Sequence, residues 1–436
     1  MGTQILMTSF SVVACVFLSF APPVSGEILH EFITLDWEWP NDTTRQQYID
    51  SGDFVPELCQ ISGIEVDTIR DFYSASEIRS RIFVTVPKMR SVKGVPAGLN
   101  TVHKNETSNE SFLRPYPNWE WQKQGDCSAL QFPMSMAMDP NTGYLYVIDV
   151  GRVGVTTSNA DNSCPPKLVV FDTRRSNDAI LSYVFPDSVV SATSNFLNDI
   201  TLDYVDPEAG NRVRYAYITD TFDKQIVVFD FSTNTSWSFQ DLNSMGTDGD
   251  RNITIQGTTY TMDFAVNGIS LSSSFNYLYY SSVGSRKLFQ VPTWVLRKEK
   301  SDFSKYVRLV GTKKSNSDAI IFGHRNLYFG ALAYDAVYRW DLVEDLNLQG
   351  VSEGEVTIQT QLPLAQNWET MQWVDGMTIG FDNQLYFITE RAQLFHTGTM
   401  DFSGKQGANF RIFTYPIADK SYLSLPKAGH DSVIVG

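Results

Sequence analysis

Short apolar runs bounded by turn-forming residues recur along the whole chain. Six of them share a core in which a small or aliphatic residue sits among aromatic and β-branched neighbours: Ile82 in "RIFVTV", Leu145 in "YLYVID", Ala216 in "YAYITD", Leu278 in "YLYYSS", Leu327 in "NLYFGA" and Leu385 in "QLYFIT". Their alternation has a period of two, and turn clusters such as "DPNTG", "SSSFN", "FGHRN" and "GFDNQ" precede them, which predicts hairpins. Most are followed 9 to 22 residues later by another such strand: "KLVVFDT" (167 to 173), "QIVVFDF" (225 to 231), "KLFQVPT" (287 to 293) and "AVYRWDL" (336 to 342).

The copies lie 49 to 71 residues apart, an irregular spacing that suits four-stranded blades with variable loops. One such sheet cannot bury both faces alone. Six arranged radially pack face to face and leave only short edges exposed. The pattern therefore predicts an all-β, single-domain, six-bladed β-propeller over residues 27 to 436; two β-sandwiches are the competing arrangement. The strand "EFITLDWEW" (31 to 39) precedes the first copy and is expected to pair with "FRIFTYP" (410 to 416), closing the ring. Helical periodicity is confined to segments such as "QQYIDSGDFV" and "PTWVLRKEK".

Composition adds an address to this architecture. Residues 1 to 26 carry no charged side chain, run apolar through "ILMTSFSVVACVFLSFA" and end on small residues, which predicts a signal peptide cleaved before Glu27 and a secreted, extracellular protein. The missing basic residue near the start leaves an uncleaved anchor as the alternative. No later segment approaches the roughly 18 apolar residues of a membrane span. Five Asn-x-Ser/Thr sequons, at Asn41, Asn105, Asn109, Asn234 and Asn252, are candidate glycosylation sites. The net charge of -15 disfavours nucleic acid and anionic lipid as partners and tolerates cationic ligands. Cys59, Cys127 and Cys164 remain after the leader, an odd number for an oxidising compartment. The five histidines (His30, His103, His324, His396 and His430) are scattered and read mostly as surface residues, so no metal site and no cofactor is expected. No nucleophile elbow, P-loop or dinucleotide fingerprint occurs, and "DPNTGYLYVID" lacks the spacing and closing glutamate of a calcium loop. No catalytic residue is assigned.

At "RIFVTVPKMRSVKGVPAGLN" (81 to 100), "YPNWEWQKQGDCSAL" (116 to 130), "YLYVIDVGR" (144 to 152), "CPPKLVVFD" (164 to 172), "FLNDITLD" (196 to 203), "NGISLS" (267 to 272) and "ANFRIF" (408 to 413), the chain resembles the major royal jelly protein/yellow family of secreted six-bladed propellers. The resemblance runs over nearly the whole chain after the leader. The family pattern usually carries four cysteines in its first half, and this chain keeps two of them, Cys127 and Cys164. Their retention implies a Cys127–Cys164 disulfide, with Cys59 left free or bonded to a partner molecule.

The resemblance also implies a small-molecule site at the channel mouth, because the family includes carriers of biogenic amines that use one hairpin of the last blade. That hairpin corresponds to "MQWVDGMTIGFDNQLYFITER" (371 to 391). Trp373 matches an aromatic position there, Asp375 and Glu390 stand where the binders have neutral polar residues, and Met134 and Ala392 stand where they have aromatics. Trp373 and Asp375 are two apart on a strand, so they share a side and offer a π-face and a carboxylate to a cationic amine. Two close carboxylates without a cation repel, and one of them takes a proton. The bland alternative has Trp373 packed between blades and both acids solvated. Asn198 and Asp199 are expected to bond backbone at the start of a strand. Two further functions follow from the resemblance: a dopachrome-converting enzyme with Asp375 and Glu390 as acid and base, and a structural or nutritive secreted protein without a specific ligand. The oligomeric state is open.

Overall fold

The computed structural model describes residues 26 to 70, 78 to 175, 177 to 205 and 212 to 424. The expected leader therefore lies outside the described residues except for Gly26. Six antiparallel four-stranded sheets follow one another along the chain, and a two-stranded hairpin, Asn252–Ile255 with Thr258–Thr261, is inserted ahead of the fourth. The inner strands are Ile64–Arg70, Pro133–Asp139, Leu197–Asp203, Val266–Leu271, Ile320–Phe322 and Trp373–Ile379. Each adjoins the next, and the last abuts the first, which closes a six-bladed β-propeller. The six recurring apolar runs are the second strands of the six blades, and the four alternating strands that follow them are third strands.

Ring closure differs from expectation in one detail. The N-terminal strand is Glu27–Phe32 rather than 31 to 39; it forms the outer edge of blade six, with Glu27 opposite Thr414 and Phe32 opposite Phe410. Past Phe32 the chain leaves that sheet, and Trp37 bridges to Leu113 of blade one, donating its indole N–H to Asn100 Oδ1. The helix read at "QQYIDSGDFV" is Asp42–Asp50, set earlier because Asn41 caps its N-terminus by accepting from Thr44 N. The helical part of "PTWVLRKEK" is the single turn Thr293–Leu296.

The core lies in layers between blades. Phe83, Leu145 and Phe171 pack between blades one and two, while Tyr328, Val374 and Phe413 do so between blades five and six. Third strands such as Lys167–Asp172 are buried on both faces, whereas the outer strand Ala179–Val184 alternates between half-buried and exposed. The Cys127–Cys164 disulfide is present, with Cα atoms 5.2 Å apart. Cys59 is unpaired and wholly buried, and its thiol donates to the carbonyls of Val55 and Gly94. Burial pushes that thiol well above the ordinary cysteine range.

One end of the central channel is closed by the chain itself. Ser421 bridges to Gly323, and the Tyr422 hydroxyl bonds the Thr201 hydroxyl (2.7 Å) and accepts from Leu202 N (3.0 Å). Asn141 Nδ2 holds the carbonyl of Leu423. Ser421, Tyr422 and Leu423 thus line the channel where the inner strands end.

Candidate functional site

The other end of the channel, where the inner strands begin, is the open mouth. Four of the six inner strands start with a register shift: between Pro133 and Ser135, Leu197 and Ile200, Val266 and Ile269, and Val374 and Met377. Such bulges re-aim the side chains they contain. Met134, Asn198, Asn267 and Asp375 all fall inside one and all line the mouth. Ser62 and Asp318, just ahead of the remaining two inner strands, complete the ring. Glycine makes the narrowness possible: a Cβ on Gly376 would lie 2.5 Å from the carbonyl oxygen of Ser62, and one on Gly268 would lie 2.6 Å from that of Asp318.

All four sequence-predicted ligand residues, Trp373, Asp375, Glu390 and Met134, come together in this mouth. Trp373 and Glu390 face each other across the last hairpin as a cross-strand pair. The bland alternative holds in part. Trp373 does pack, against Leu332, Ala392 and the inserted hairpin's Ile253 and Ile255, but it lines the mouth as well. Neither acid is solvated: Glu390 is only 2% exposed and Asp375 9%.

The structure adds residues that the sequence reading missed. Gln60 donates from Nε2 to Glu390 Oε1 at 2.5 Å, and Ser62 donates to Asp375 Oδ2 at 3.0 Å. Asp318 is a third acid, accepting from Trp373 Nε1 at 2.8 Å and from Asn267 Nδ2 at 2.7 Å. His396, expected at the surface, comes from the helix Ala392–Thr397 directly after the last hairpin. Its ring meets Trp373 edge-on (centroids 6.4 Å apart) and leans on Phe264 (5.5 Å). Met89 also lines the mouth, so two thioethers, Met89 and Met134, flank the narrow space. Asp199 sits one position deeper, accepting from Ile200 N, Ile269 N and the Ser135 hydroxyl. The expected backbone bonding is what it does. Arg152 and Arg391 are spent on carbonyl and amide oxygens (Asn195; Gln406 and Asn409), away from the mouth.

Electrostatically the mouth is an acid cluster without a counter-ion. Burial raises Asp318 to about 6. Burial pushes Asp375 well above the ordinary carboxyl range, and the neighbouring Asp318 and Glu390 carboxylates push it further; Glu390 is raised chiefly by burial. His396 is lowered to about 4 by burial and by the Arg90 guanidinium, so it is neutral at physiological pH. No lysine or arginine lines the mouth, and among the described residues no group of three acids, histidines or cysteines could hold a metal ion.

Fold and mouth together define a single-domain β-propeller with a one-ended, acidic and aromatic axial pocket. The family model described as "Major royal jelly protein" matches residues 135–422, and the chain belongs to that family. Among its relatives, it is 29% identical over 345 residues to major royal jelly protein 1 of Apis mellifera, covering 76% of this chain and 74% of that one. It is 29% identical over 407 residues to the dopaminechrome tautomerase of Drosophila melanogaster (88% and 81% covered) and 25% identical over 396 residues to the protein yellow of the same fly (88% and 67%).

Proposed function

We propose that the protein is a secreted glycoprotein whose propeller mouth binds a small aromatic cation of the biogenic-amine or catechol type. One observation carries the reading: two buried acids, Asp375 and Glu390, and the half-buried Asp318 converge beside the Trp373 ring with no lysine or arginine among them. A ring laid along Trp373 with its ammonium turned to Asp375 and Glu390 would meet both attractions at once. Secretion is supported by the leader, the disulfide and the exposure of all five sequon asparagines. Isothermal titration with serotonin and dopamine tests the binding. Micromolar or tighter heat is expected, and Asp375→Asn should weaken it by about 1 to 3 kcal/mol, the scale of a lost charge-assisted bond. Silence across both amines removes the site from the mouth.

A second reading is favoured by the Asp375–Glu390 pair itself. Two abutting carboxyl groups, both raised above the ordinary carboxyl range chiefly by burial, offer an acid and a base side by side. Tautomerisation of a catechol-derived ring moves a proton from carbon to oxygen with no other change, and one relative bears the name dopaminechrome tautomerase. Loss of dopaminechrome colour with the purified protein, abolished by Glu390→Gln, is the expected result if the mouth performs this chemistry; turnover equal to the uncatalysed rate rules it out.

A further inference from the structure

The mouth contains more acceptors than its own donors can satisfy. Gln60 and Ser62 from blade one each give a hydrogen bond to the Glu390–Asp375 pair, and Asn267 and Trp373 are both spent on Asp318. The other titratable groups facing the pair are Asp318 and the neutral His396, behind which Arg90 stacks on Phe395. Asp199 lies deeper and interacts with Asp318; Glu65, deeper still, interacts with Asp199. Two buried oxygens, Glu390 Oε2 and Gln60 Oε1, have no hydrogen-bond donor, and both residues are 2% exposed.

An orphaned carboxylate oxygen in such surroundings is costly. A water can bond such an oxygen but leaves its charge in place; a proton on the carboxyl pair, or a cationic donor carried in by a guest, relieves both. We infer that the mouth exchanges one for the other, holding a proton on the Asp375–Glu390 pair when empty and releasing it to solvent when a protonated amine docks. In the exchange the carboxyl O–H bond breaks, its proton passes to buffer, and ammonium N–H groups donate to the freed oxygens. One positive charge leaves and one arrives, so the buried charge is unchanged and no ion is stranded in a poorly solvated place. A neutral guest of the same shape brings no compensating charge and cannot drive the exchange. The mouth thereby selects protonated amines and holds them more tightly as pH rises.

This inference rests on the proposed amine binding, and the experiment separates the two. Serotonin is titrated into the full-length protein at pH 6 and pH 7, each in two buffers of different ionisation enthalpy. The expected result is an observed heat that differs between buffers by the equivalent of one released proton, with affinity rising about tenfold per pH unit. In Glu390→Gln the pair is broken, and the amine should bind with that buffer dependence lost. Equal heats in both buffers and an affinity flat with pH overturn the exchange while leaving amine binding intact. Proton release undiminished in Glu390→Gln overturns the assignment to this pair. No heat in any buffer overturns the binding itself and the exchange with it.

Discussion

Replacing Glu65 by glutamine should make the protein less sensitive to alkaline pH. Glu65 faces the channel and accepts from the Thr378 hydroxyl at 2.7 Å, and burial raises its carboxyl from an ordinary value of 4.5 to about 8. The nearby Asp199 carboxyl adds to the rise. The folded chain therefore keeps a proton that the unfolded chain surrenders above pH 4.5, so stability is fully present below that pH. It is lost as pH climbs to about 8 and is level beyond. At ~1.36 kcal/mol per unit, the loss over this window is at most on the order of 5 kcal/mol. Asp199, raised to about 7, and Asp318, raised to about 6, slope in the same direction in both proteins and largely cancel in the comparison. Glutamine cannot ionise, so the wild-type and Glu65→Gln unfolding free energies should diverge between pH 5 and pH 8, with the variant gaining ground by up to ~4 kcal/mol. Denaturant titration at the two pH values reads this directly. A difference that stays constant, or that moves in favour of glutamate, would refute the reasoning.

Converting Cys127 and Cys164 to serine opens a loop of 36 intervening residues and should cost about 4 kcal/mol on the chain-entropy account, seen as a lower denaturant midpoint. Gly376→Ala puts a methyl 2.5 Å from the Ser62 carbonyl oxygen and should lower the melting temperature by several degrees; an unchanged melting temperature would show that the strands can part at no cost. Cys59 should resist a thiol reagent in the native protein and react fully after denaturation, and rapid native labelling would contradict its burial.

The propeller was legible because each blade repeats one strand pair, and the "LY" runs mark second strands that every blade must bury. Those runs lie one strand away from the channel, however, and carry no sign of the mouth. Had the inner strands been superposed instead, "ISGI", "PMSM", "LNDI", "VNGI", "SDAI" and "VDGM" would have shown the channel-mouth position directly as Ser62, Met134, Asn198, Asn267, Asp318 and Asp375. Asp318 was missed for that reason. His396 and Gln60 carry no periodic signal, since one sits on a helix after a hairpin and the other on the approach to blade one. The first strand was misplaced by four residues because "LDWEW" alternates as well as "EILHEF" does, and only pairing with Phe410–Pro416 distinguishes them.

Tyr422 fills the channel at the end opposite the mouth. Under the proposed binding, a molecule that entered through the mouth would leave through it and, while seated, would block the path of any successor. Exchange of one such guest for another would then pass through an unoccupied protein. Flooding the solution with competitor would then lower occupancy without hastening departure, so the residence time would be set by the protein and the seated guest alone.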